Sequence, residues 1–102
     1  MPTYETLPRF TTDLHHLTPE QRQRFRRVVR EAFVHDLRTG QGFRPGLRVK
    51  RVRTTPGVYE LSWSMGAGCP GRATWAYGTP LRPGVAHIVW RRIGGHDILT
   101  GP

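Results

Sequence analysis

Residues 46–63, "GLRVKRVRTTPGVYELSW", decide how this chain folds. On either side of "TTPG" (54–57) lie two short runs rich in Val, Tyr, Leu and Trp, with apolar and polar residues alternating. Period-two alternation puts successive side chains on opposite faces of a strand, and a Pro-Gly turn between two such runs favours antiparallel neighbours. The spacing therefore predicts strands over 46–53 and 57–63. Two more runs, "RATWAY" (72–77) and "HIVWRRI" (87–93), have the same character and are set off by "MGAGCPG" and "TPLRPG". The second half of the chain reads as an antiparallel sheet of about four strands. "TYET" (3–6) is a further candidate edge strand, too short to assign from composition.

Upstream the period changes. Leu7, Phe10, Leu14 and Leu17 fall on one helical stripe, predicting a short helix over about 7–16. "TPEQ" (18–21) then has the form of a capping box, with Thr18 as N-cap, Pro19 in the first turn and Gln21 three residues on. Behind it Phe25, Val28, Val29, Ala32, Phe33 and Leu37 repeat every 3.6 residues, so a second helix is expected over about 19–38, stopping at Gly40. The predicted fold is α+β: one domain over 1–102, with an N-terminal helical hairpin packed on one face of the sheet. Alternation places Tyr59, Leu61, Trp63, Ala73, Trp75 and Tyr77 under the helices. Glu60, Ser62, Arg72 and Thr74 then line the other, open face, joined by Arg48 and Lys50 if Leu47 and Val49 point inward. On the last strand the phase is ambiguous, because Ile88 with Trp90 sends Arg91 outward whereas Val89 with Ile93 sends Arg92 there.

Sixteen basic residues stand against seven acidic ones, a formal charge of +9, and all the basic residues except Lys50 are arginine. Such an excess favours a polyanionic partner, nucleic acid or a ribonucleoprotein before a membrane surface. With 102 residues there is room for one core but not for separate cofactor and substrate domains, so no cofactor is expected. Cys69 is the only cysteine, excluding an internal disulfide, and His15, His16, His35, His87 and His96 lack metal-ligand spacing. No secretory leader or membrane span is legible, and a cytoplasmic location is expected. "GAGCPG" (66–71) matches G-x-G-x-x-G, but a strand follows where a dinucleotide site needs a helix, so it reads as a hairpin loop.

Most of the chemistry lies in "HIVWRRIGGHDIL" (87–99). His96 follows two arginines and two glycines, and an imidazole is the side chain suited to moving protons near neutral pH. RNA cleavage needs a base for the 2′-hydroxyl, cations for the crowded phosphorane and an acid for the departing oxygen. The candidates are His96 for the proton, Arg72 and Arg91 for the charge, and Glu60 as base. Arg48, Lys50, Arg51, Arg53 and Arg92 are the candidate RNA-binding residues. The plain alternatives are a His96 that caps a neighbouring carbonyl and a Glu60 that forms a cross-strand ion pair.

The order of these elements, with "GLRVKRVRTTPGVYELSW", "GRATWAYG" and "HIVWRRIGGHDIL", resembles the RelE/ParE superfamily of bacterial type II toxins over nearly the whole chain. The resemblance implies a toxin neutralised by a cognate antitoxin, usually a metal-independent endoribonuclease that cuts mRNA on the ribosome. It also implies a phosphate-binding role for Lys50, Arg72 and the Arg91/Arg92 pair, and proton transfer by His96. Some members carry further functional histidines mid-chain. None lies between His35 and His87 here, which leaves the general base unassigned. A ParE-like toxin acting on DNA gyrase and a non-catalytic nucleic-acid-binding module are the alternative readings.

Overall fold

The computed structural model describes residues 2–102. In chain order the elements are β1 (Thr3–Thr6), α1 (Pro8–His16), α2 (Pro19–Val28), a π-helical turn at Val29–Phe33, α3 (Val34–Thr39), β2 (Lys50–Arg51), β3 (Val58–Gly66), β4 (Cys69–Tyr77) and β5 (His87–Gly94). Short 3-10 turns at Pro45–Leu47 and His96–Thr100 complete the α+β fold. The sheet has five strands in the order β1-β5-β4-β3-β2, and it is mixed rather than wholly antiparallel. The difference from the expected four strands is "TYET", which pairs parallel to β5 from Thr3↔His87 to Thr6↔Trp90.

The helical half follows the sequence in outline: α1 lies where expected, while the helix expected over 19–38 is divided by the π-helical turn into α2 and α3. Thr18 Oγ1 accepts from the Gln21 amide at 3.1 Å while the Thr18 amide donates to Gln21 Oε1 at 2.9 Å, the reciprocal bonds of a capping box. Gly40 ends α3 at φ 69°, a left-handed conformation that glycine adopts without steric cost, and its amide donates to the Asp36 carbonyl. Between α2 and α3 the π-helical turn advances the phase of the stripe, so that Phe25, Phe33 and Asp36 are the buried positions. The two phenylalanines pack onto the tryptophans of the sheet: Phe25 lies edge-on to Trp63 and Trp90, and Phe33 edge-on to Trp75. These rings, with Phe10, Leu61 and Ile93, form the core.

Three strands depart from expectation. The predicted first strand (46–53) contracts to Lys50–Arg51, because Pro45–Leu47 turns and Arg48 takes a left-handed conformation at φ 48°. β4 begins at Cys69, extending the β3–β4 hairpin to a two-residue turn in which Ala67 and Gly68 both have positive φ, 50° and 74°. "GAGCPG" is therefore a hairpin, as its context indicates. In β5 a bulge settles the phase: Thr74 pairs with Arg92 but Trp75 pairs with Trp90, leaving Arg91 as the extra residue. Trp90 and Ile93 are thus both buried, and each of the two phase readings holds on its own side of the bulge. Tyr77, expected in the core, is instead 50% exposed beyond the helices.

Candidate nucleic-acid interface

Strand register brings the predicted polar residues into one transverse row. Lys50 pairs with Glu60, Glu60 with Thr74 and Thr74 with Arg92. In the next row Ser62 pairs with Arg72 and Arg72 with Gly94, two residues before His96. Glu60 Oε1 lies 3.8 Å from Lys50 Nζ and 3.7 Å from Arg72 Nε, and its side chain is only 6% exposed. A carboxylate so buried needs its cations, and it draws both of them toward this face, although neither contact is close enough for a hydrogen bond and the Lys50 side chain stays largely exposed. Arg72 is further tied to its neighbour by Nη1 donating to the Gly71 carbonyl at 3.0 Å. Arg72 Nε and Thr74 Oγ1 are buried without a hydrogen-bond partner among the described residues.

Beside this row runs an open groove of 420 Å³ whose lining includes Arg48, Ser62, Ser64 and Arg72. His96 begins the last 3-10 turn, is exposed, and its ring makes no hydrogen bond among the described residues. The turn is anchored instead by Ile98, buried against β5, where a Cβ at Gly94 would come within 3.0 Å of Ile98 Cγ2. Lys50, Glu60 and Arg72 are thus one cluster, with the His96 backbone at its β5 end.

The arginine pair is more constrained than the sequence suggests. Arg92 Nε donates to Asp13 Oδ2 at 2.6 Å, Nη2 to Asp13 Oδ1 at 3.2 Å and Nη1 to the Gly101 carbonyl at 3.0 Å. Hydrogen bonding to Asp13 raises the Arg92 pKa still further, so this guanidinium is a fixed charge. Asp13 Oδ2 also accepts the Ile93 amide at 3.1 Å, covering a β5 edge group past the point where β1 ends. Arg91 Nε donates to the Pro102 carbonyl at 2.9 Å. Arg51, by contrast, leaves this face altogether: its guanidinium lies 5.9 Å from the Tyr59 ring centroid on the helix side of the sheet. Arg53 is exposed in the turn after β2.

Several working side chains carried no sequence signal. His87 is buried, with Nδ1 2.7 Å from Thr3 Oγ1 and Nε2 2.9 Å from Glu5 Oε1, pinning β1 to the sheet. Its role depends on a partner more than eighty positions away, which no local pattern encodes. Arg22 closes α1 by donating from Nη1 to the Leu14 and Leu17 carbonyls. Asp36 receives Arg44 Nε and Nη2 at 2.9 and 2.8 Å and the Arg44 amide at 2.8 Å. Those bonds hold the Asp36 carboxyl well below the usual carboxylate range.

On the other side of the molecule, a groove of 780 Å³ opens between β1, α1 and the α2–α3 helices. Its floor includes Phe10, Phe25, Val29 and Trp90, and Arg26, Arg30 and Arg38 stand among its lining residues. No family model, no curated protein and no solved structure matches the chain. Among the described residues, no group of three or more His, Cys, Asp or Glu side chains is placed to hold a metal ion, and no helix is long and apolar enough to cross a membrane.

Proposed function

We propose that this protein is a RelE-like toxin of a type II toxin–antitoxin system, acting in the cytoplasm as a metal-independent endoribonuclease on ribosome-bound mRNA. The observation that carries the reading is the cation cluster around Glu60 with His96 exposed at its end: Lys50 and Arg72 lie within 4 Å of one buried carboxylate, and Arg72 is registered against Gly94. In the reaction the 2′-oxygen bonds to phosphorus, the bond from phosphorus to the 5′-oxygen breaks, and His96 gives its proton to that leaving oxygen. Arg72, Lys50 and Arg91 stabilise the charge that builds on the phosphorane, while Arg48 and Arg53 hold flanking phosphates. Glu60 faces two cations, which favours a positioning role for it; those cations make the 2′-hydroxyl more acidic, and its proton passes to solvent water as the 2′-oxygen attacks. Arg92, bound to Asp13, is held in place with its charge already paired within the fold.

The antitoxin belongs to the same reading. An apolar groove bordered by Arg26, Arg30 and Arg38 on a chain of charge +9 suits an acidic segment that folds as it binds. Purified protein with programmed ribosomes tests the enzyme. His96→Ala is expected to slow mRNA cleavage by about 100-fold or more, the range of a lost general acid, with its melting temperature unchanged. Cleavage at the native rate by that variant removes His96 from the mechanism.

A further inference from the structure

Alternation along β2 sends Lys50 and Arg51 to opposite faces, and what Arg51 meets is a line of aromatic rings. Arg51 pairs with Tyr59, Tyr59 with Trp75 and Trp75 with Trp90, a row that runs from the exposed β2 edge into the core. The Tyr59 ring stacks on Trp75 with centroids 4.8 Å apart and 19° between planes. Tyr77 stands across the end of this stack, nearly perpendicular to Trp75 at 5.0 Å and to Tyr59 at 5.7 Å. Trp75 is completely buried, with Phe33, Phe43 and Tyr59 against it, yet Tyr77 keeps 50% of its surface exposed. A singly exposed tyrosine is ordinary. This one is braced by two rings and has a guanidinium on the adjoining tyrosine, so it offers a rigid π surface whose entropy cost is already met by packing.

The β2 edge connects this corner to the charged face. Because β2 is a two-residue edge strand, a backbone passing round it meets Lys50 on one face and Arg51 on the other. Phosphates are attracted to both cations, and an unpaired base has a π face that any aromatic ring can receive. We propose that Tyr77, next to the Tyr59 ring that carries Arg51, is a stacking site for an unpaired base of a single-stranded RNA whose backbone crosses the β2 edge from the charged face. The site rests on the nucleic-acid part of the proposed function and not on catalysis.

Binding of a fluorescein-labelled octa-adenylate, and of the same oligomer without bases, tests it by anisotropy in the absence of ribosomes. Tyr77→Ala and Tyr77→Leu are expected to weaken octa-adenylate binding about ten-fold, the range of one lost base–aromatic stack, while Tyr77→Phe retains it. The abasic oligomer binds the native protein and all three variants alike, since it engages only the cations. Native affinity for octa-adenylate in both Tyr77→Ala and Tyr77→Leu overturns the proposal, as does an equal loss for the two oligomers. Either result leaves ribosomal cleavage untouched, whereas a protein that stacks bases but cuts nothing leaves this site standing and removes the nuclease.

Discussion

At Asp36 one carboxylate fixes the chain reversal that follows the helices. It accepts three hydrogen bonds from Arg44, and those bonds lower its pKa. A folded-state pKa below the unfolded one stabilises the protein fully above the unfolded value, about 4, and the contribution is lost progressively as pH falls from there through the lower folded-state value. Thermal unfolding across pH is expected to show Asp36→Asn melting lower than the native protein at pH 7, with the gap narrowing in the acid range. A gap that is constant from pH 7 to pH 3 would contradict the role given to the ion pair. Asp13 works in a similar way at the far edge of the sheet, where it serves both Arg92 and the Ile93 amide. Removing it leaves Arg92 Nε and Nη2 and the Ile93 amide without their acceptor, so Asp13→Ala is expected to cost about 2 kcal/mol in denaturant unfolding.

At the scale of elements, local rules made the helices legible and non-local ones hid part of the sheet. Thr18, Pro19, Gln21 and Gly40 mark helix ends through bonds reaching no further than four residues, and each sits where the sequence places it. β1 is four residues long with no apolar alternation, and only its pairing with β5 makes it a strand. The β5 bulge is likewise a property of two strands together, which is why Arg91 and Arg92 could not be sorted from one of them. Of the candidate site, the Lys50, Glu60 and Arg72 cluster and the placing of Arg51 on the Tyr59 face follow from alternation, whereas the engagement of Arg92 by Asp13 does not. The β3–β4 turn gives a direct check on backbone geometry. Ala67 holds φ 50°, where an L residue with a Cβ is strained and asparagine is tolerated. Ala67→Asn is expected to raise stability by about 0.5–1 kcal/mol, read by urea unfolding; a loss of stability would speak against a turn with two positive φ values.

For the whole molecule the decisive feature is how few of its positive charges are neutralised within the fold. Among the described residues, ion pairs engage Arg30, Arg44, Lys50, Arg72 and Arg92, while Arg48, Arg51 and Arg53 surround the β2 edge without an acidic partner within 4 Å. A surface of that kind binds polyanions with affinity that falls steeply as salt rises, whichever polyanion it serves. What separates a nuclease from a binder or a gyrase poison is chemistry at His96. The most direct measurement is genome-wide mapping of transcript 5′ ends after induced expression of the native protein and of His96→Ala, with plasmid supercoiling followed in the same cultures. New ends inside translated reading frames, lost in His96→Ala and accompanied by unchanged supercoiling, are the predicted result. Growth arrest by the native protein without new transcript ends, or the same new ends from His96→Ala, would contradict the account.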